Sequence, residues 1–134
     1  MTGRLHFITL NARGLIEKQK RDQIMLWIKN QKADVIFLQE THYTKSIIPF
    51  IETEWSGSLF HSFGTSNSRG VSVLISNRAP VTVIDHQQTD DGRVVLVNIE
   101  VNDSMLTCTP PIRVETANSS LRNCLSGLPT INKD

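Results

Sequence analysis

The residues that most constrain this chain are Val35-Ile-Phe-Leu38, a continuous β-branched and aromatic run that is apolar at every position. Alternating sides of a strand point to opposite faces, so such a run suits a strand covered on both sides. Upstream, Leu5 to Leu10 is a second short, mostly apolar run, broken by Asn11-Ala-Arg-Gly14. Between the two, from Lys18 to Gln31, apolar residues fall at Ile24, Trp27 and Ile28, with Met25 and Leu26 widening the stripe. That spacing predicts a helix. Strand, helix and strand in this order predict a parallel pair joined by a right-handed crossover, and hence an α/β fold.

After Glu40 the pattern changes. Residues 45–57 read as an irregular connection, with Pro49 interrupting any helix. Leu59–Phe63, Gly70–Ser76, Val81–His86 and Arg93–Val101 read as successive short strands, separated by Gly, Pro, Asn and Asp clusters. A further strand occupies 104–109 and stops at Pro110-Pro111. The tail from Glu115 places Leu121, Cys124, Leu125 and Leu128 at helical spacing, weakened by Ser, Thr and Asn.

With 134 residues the chain fits one domain. Its 39% hydrophobic and 20% charged residues exclude disorder, collagen and coiled coil. No apolar run approaches the roughly 20 residues of a membrane span. The N-terminus lacks the apolar core of a signal peptide, so a cytosolic or nuclear, non-secreted chain is expected. Cys108 and Cys124 match no zinc spacing or disulfide framework and read as reduced thiols. The net charge of +1 hides an asymmetry: residues 1–32 carry +5 and the remainder −4. Lys18-Gln-Lys-Arg21 reads as one solvated helix face, and charge alone does not make a nucleic-acid binder.

Two polar residues sit where open α/β sheets place their sites, at the carboxyl ends of strands: Asn11 after the first and Glu40 after the second. A carboxylate there suits Mg²⁺, which takes oxygen ligands and keeps several waters. The plainer alternative is that Asn11 satisfies a turn and Glu40 is a strand-end acid in solvent. His42 could face the same cleft as a phosphate contact, or stand as a surface residue. His6, His61 and His86 have no metal-triad spacing. Arg69 and Arg93 lie beside turn glycines, where cations are common for solubility alone.

Leu10-Asn-Ala-Arg-Gly-Leu15, Lys20-Arg-Asp-Gln-Ile24 and Ala33-Asp-Val-Ile-Phe-Leu-Gln-Glu-Thr-His42 together resemble the endonuclease/exonuclease/phosphatase superfamily. The stretches Arg69–Ser76 and Asp91–Val95 fit the same register. The pattern is most similar to the apurinic/apyrimidinic-type endonuclease domain of non-LTR retrotransposons. The resemblance implies a two-sheet α/β sandwich with its active site in a cleft at one end, and Mg²⁺-dependent hydrolysis of phosphodiester bonds in DNA. It implies that Asn11 is the first active-site asparagine and Glu40 the metal-holding carboxylate. Arg13 stands where the abasic-site enzymes usually carry an acid, which argues against abasic repair.

Three departures follow. The family's Tyr strand end corresponds to Leu106-Thr-Cys-Thr-Pro110, where Cys108 either replaces the Tyr or a short deletion removes it. Neither a Gly-Asp-x-Asn strand end nor a C-terminal Asp-His pair occurs, and Asp85-His86 lies within a predicted strand. Residues 1–134 are therefore expected to form the N-terminal portion of such a domain, inactive alone, with weak Mg²⁺ binding. A non-catalytic relic or interaction fragment is the alternative, and within the family a lipid or inositol phosphatase is the alternative substrate class. Val94-Val-Leu-Val97 is expected to lie beside an incomplete sheet and to promote self-association.

Overall fold

The computed structural model describes residues 5–65, 68–110, 113–116 and 131–133. Strand β1 (Phe7–Asn11), helix α1 (Lys18–Gln31) and strand β2 (Val35–Gln39) form the predicted unit, with β1 and β2 parallel. A single 3₁₀ turn (Lys45–Ile47) leads into α2 (Ile48–Glu54). Strands β3 (Gly57–Ser62) and β4 (Val71–Ser76) complete a four-stranded sheet of order β1-β2-β4-β3. Strands β5 (Thr82–Thr89), β6 (Val95–Val101), β7 (Ser104–Thr109), β8 (Arg113–Thr116) and β9 (Ile131–Lys133) form the second sheet, of order β8-β7-β6-β5-β9.

Alternation along β2 explains the layering. Val35 and Phe37 join Val73 and Ile75 of β4 in a core shared with Val95, Val97 and Ile99 of β6. Ile36, Leu38 and Leu74 turn the other way, onto Met25 and Ile28 of α1 and Ile51 of α2. The first sheet is thus buried on both faces, between the helices and the second sheet, as the apolar run predicts. Each large side chain fully buried here contributes about 1.5–3 kcal/mol.

Several expectations are corrected. Pro49 does not interrupt a helix but sits in the first turn of α2. Its missing N–H costs nothing there and its fixed φ favours the start. On α1 the buried positions are Arg21, Met25 and Ile28, while Leu26 and Trp27 are 62% and 45% exposed. The stripe runs through i, i+4 and i+7, narrower than the apolar residues suggest. Strand β5 continues three residues past His86, and β8 includes Glu115, where the sequence suggested that a helix begins. The helix expected over Leu121–Leu128, with Cys124, lies outside the described residues. Strands β6 and β7 are interior to the second sheet, flanked by β5 and β8, so Val94–Val97 does not lie at an open edge. The outer strands of the first sheet are β1 and β3.

Arg21 is the largest departure from the solvated-face reading. Only 3% exposed, it donates Nε to Glu54 Oε1 at 3.0 Å. Its Nη1 donates to the carbonyls of Leu15 and Ile16 at 3.2 and 2.9 Å. One side chain thereby fastens the loop after β1 to both helices. Lys18 behaves as expected, exposed and paired with Asp22 at 2.6 Å. Removing one partner of a buried pair leaves the other unpaired and two carbonyls unsatisfied, which costs about 3 kcal/mol. Arg21→Ala should therefore lower stability by roughly that amount in urea denaturation, several times the effect of Lys18→Ala.

Candidate active site

Parallel register decides the geometry at the carboxyl end of the first sheet. Asn11 lies opposite Gln39, and Glu40 follows directly, so both residues emerge at the same end of neighbouring strands. Both side chains are exposed.

The loops beneath them are joined main chain to main chain. Ala12, Gly14 and Leu15 donate to the carbonyls of Gln39, Glu40 and Thr41 at 2.7–2.8 Å. Thr41 and His42 donate in turn to Gly70 and Arg69 at 3.0 and 2.8 Å. Gly70 donates to Gly92 at 2.9 Å, and Gly92 donates to the Ser62 hydroxyl at 2.9 Å. Loops that are far apart in sequence thus converge on one rim carrying Asn11, Arg13, Glu40, His42 and Arg69, with Asp91 and Arg93 beyond.

The backbone at this rim is unusual. Four of the seven described non-glycine residues with positive φ are here: Arg13 (53°), Glu40 (51°), His42 (59°) and Arg69 (64°). Such conformations cost of order 1–3 kcal/mol each and concentrate where function requires a particular side-chain placement. Glycine is required where the loops touch. At Gly14 (φ 91°) a Cβ would lie 2.8 Å from His42 Nδ1, and at Gly70 (φ 95°) it would strike the Thr41 hydroxyl. His42 therefore packs over the loop that carries Asn11.

Charge at the rim is mixed. The Thr89 hydroxyl donates to Asp91 Oδ1 at 2.6 Å and holds that carboxyl below the usual carboxylate range. Arg93 lies 3.7 Å from the same carboxylate. No cluster of three His, Cys, Asp or Glu side chains occurs among the described residues. One exposed carboxylate and one exposed amide oxygen are nonetheless a donor set that fits Mg²⁺, which is commonly held by one or two carboxylates, waters and substrate phosphate. The sequence placed Arg69 and Arg93 beside turn glycines in stretches that fit the family register, but read the two cations as solubility residues; the bonds among Arg69, Gly70 and Gly92 place their loops at this rim.

Cys108 contributes no surface group. It lies in the core between the sheets, opposite Val97, and burial pushes its thiol up to about 12. Tyr43 is 1% exposed, and burial raises its hydroxyl above the ordinary range. Edge-on to it stands His61, whose Nδ1 shares a 2.6 Å hydrogen bond with the Ser72 hydroxyl. The buried His61 Nε2 has no partner among the described residues.

A sequence profile described as the Endonuclease/Exonuclease/phosphatase family matches residues 8–126. The chain belongs to this family. It is 30% identical over 100 residues to the "Transposon TX1 uncharacterized 149 kDa protein" of Xenopus laevis, covering 75% of this chain and 8% of that relative. The chain therefore spans a small fraction of that protein's length. In structure it is similar to the crystal structure of humanized D. rerio TDP2 bearing 14 mutations. That match has a TM-score of 0.57 and 15% identity, covering 91% of this chain and 58% of the other. At that identity the likeness shows the fold, a two-sheet α/β sandwich as the family resemblance implies.

Burial lowers the His61 pKa to about 4, from an ordinary value of 6.5. The folded state thus favours neutral His61, whereas the unfolded chain takes a proton below pH 6.5. Its contribution should be complete above that pH and decline as pH falls towards 4, by at most about 3 kcal/mol. Urea midpoints at neutral and mildly acid pH should therefore diverge, and His61→Gln should reduce the divergence.

Proposed function

We propose that this family member is part of a metal-dependent phosphodiesterase domain of retrotransposon endonuclease type, with DNA as its substrate. In this reading residues 1–134 supply the N-terminal, metal-holding portion and are inactive alone. The observation that carries it is the register placing Asn11 and Glu40 together at the carboxyl ends of β1 and β2. A transposon relative supports a nucleic-acid substrate over a phosphorylated lipid or inositol. An intracellular location, nuclear or cytoplasmic, follows from that substrate. No described helix is long and apolar enough to cross a membrane.

Glu40 and Asn11 would hold Mg²⁺ through a carboxylate and an amide oxygen. When bound, the ion supplies charge neutralisation at the scissile phosphate. Glu40 brings the single full negative charge, and Asn11 orients an oxygen without adding another. Arg69, exposed on the neighbouring loop, would bind a non-bridging phosphate oxygen, and His42 would add an imidazole N–H donor. The rim holds no described residue positioned to orient a water against the phosphate, and the sequence contains no Gly-Asp-x-Asn motif. A relic without turnover is the second reading, supported by Cys108, which lies buried in the core where the resemblance implies a tyrosine. Self-association of the isolated chain is part of the proposal, through β1, whose outer edge has no partner strand among the described residues.

Losing one transition-state donor costs about 10²–10³ in rate, and several are lacking together. The chain alone should bind Mg²⁺ weakly by calorimetry and should not nick supercoiled DNA. A chimera carrying a C-terminal segment from an active relative should nick, and Glu40→Ala should abolish that nicking. Glu40-dependent nicking by the unextended chain would overturn the inactive-alone reading; chimera activity surviving Glu40→Ala would detach Glu40 from the metal role.

A further inference from the structure

At the opposite end of the first sheet, where β2 begins and β4 ends, lies an open cleft of about 370 Å³. Its wall carries Lys29 and Lys32 from the end of α1, Arg78 from the turn after β4, and Trp55, Ser56 and Asn77. Among the described residues no acidic side chain lines it. Asp34, nearest in sequence, turns its carboxylate to the His6 amide at 2.8 Å. Lys29, Lys32 and Arg78 make no ion pair or side-chain hydrogen bond with any described residue, whereas Arg21 and Lys18 on the same helix are both paired.

The helix dipole explains part of this. Cations near a helix C-terminus complement its partial negative charge of about one half. Lys29 in the last turn answers that charge alone. Lys32 and Arg78 leave a surplus of positive charge, and Arg78 comes from a different element. Trp55 is half-buried, and its ring is fixed by an indole N–H donated to the Ile75 carbonyl at 3.3 Å. Unpaired cations beside an immobilised aromatic ring are what a flexible polyanion with stackable bases requires.

We propose that this cleft is a second phosphate site, taking the phosphodiester backbone of a single-stranded nucleic acid, with a base against Trp55. It rests for its ligand on the nucleic-acid reading above, but not on Asn11 or Glu40. Five residues of β2 separate the two ends, about 17 Å of strand, so one phosphate cannot occupy both. A strand bound here would be held away from the rim.

The chain has two tryptophans, so Trp27→Phe leaves Trp55 as sole reporter. Titration with a short oligothymidylate should change Trp55 fluorescence. Combining Lys29→Ala, Lys32→Ala and Arg78→Ala should weaken binding about tenfold or more at low salt. Three lost phosphate contacts should also flatten the log–log salt slope by about 2. All three side chains are exposed, so circular dichroism of the variant should match the parent. Unchanged affinity in the triple variant overturns the proposal. So does a Trp55 response to inorganic phosphate but not to the oligonucleotide, which would mark a small-anion site. Oligonucleotide binding lost in the triple variant, alongside a chimera that does not nick, would support the cleft and defeat the catalytic reading. A chimera that nicks without any such binding would do the reverse.

Discussion

The hydrogen bond from Gly70 to the Gly92 carbonyl, 2.9 Å long, is where the two sheets meet at the rim that carries Asn11 and Glu40. On one side, Gly70 and Arg69 receive the amides of Thr41 and His42, and through them the loop after β1. On the other, Gly92 reaches Ser62, whose hydroxyl donates to the Thr89 carbonyl at 2.6 Å. Every loop that carries a rim residue is therefore tied to another by its main chain. Apart from the glycines and Ser62 at the contacts, main-chain bonds of this kind do not depend on side-chain identity, so the rest of the rim can vary chemically above a constant frame. The positive-φ residues are the local strain that this frame holds in place.

Arg21 does for the helices what this relay does for the loops. Its guanidinium satisfies two carbonyls of the β1–α1 loop and binds α2 through Glu54, a partner 33 residues away. The planar fork of arginine aims donors from separate nitrogens at Glu54 and at the two carbonyls, whereas a lysine presents all its donors from one point. The loop bearing Asn11 is thus anchored twice, to β2 by its amides and to α1 by its carbonyls.

Much of this was legible in the sequence. The β1-α1-β2 unit is readable because its apolar residues interact locally, and helix α1 spans the predicted Lys18–Gln31. Asn11 and Glu40 could be placed because strand ends follow from strand order. Helix α2 was missed because proline was read as a breaker where it was a starter. Arg21 was missed because a buried cation and a solvated one look alike until the acid that meets it is known. The connection between Arg69, Gly70 and Gly92 depends on pairing across both sheets, which no window of sequence contains. The layering was legible in β2 alone, where the apolar positions face alternately towards helix and sheet.

The mixed topology of the first sheet gives its two proposed metal-holding residues unequal mechanical footing. Strand β2 is held by β1 on one side and β4 on the other, whereas β1 has β2 as its one described partner. Local opening begins where the fewest bonds must break, so the outer strands β1 and β3 are released more readily than β2. Asn11 therefore rides on the more yielding strand and Glu40 on the more rigid one. An ion held between them would have one fixed ligand and one that can adjust.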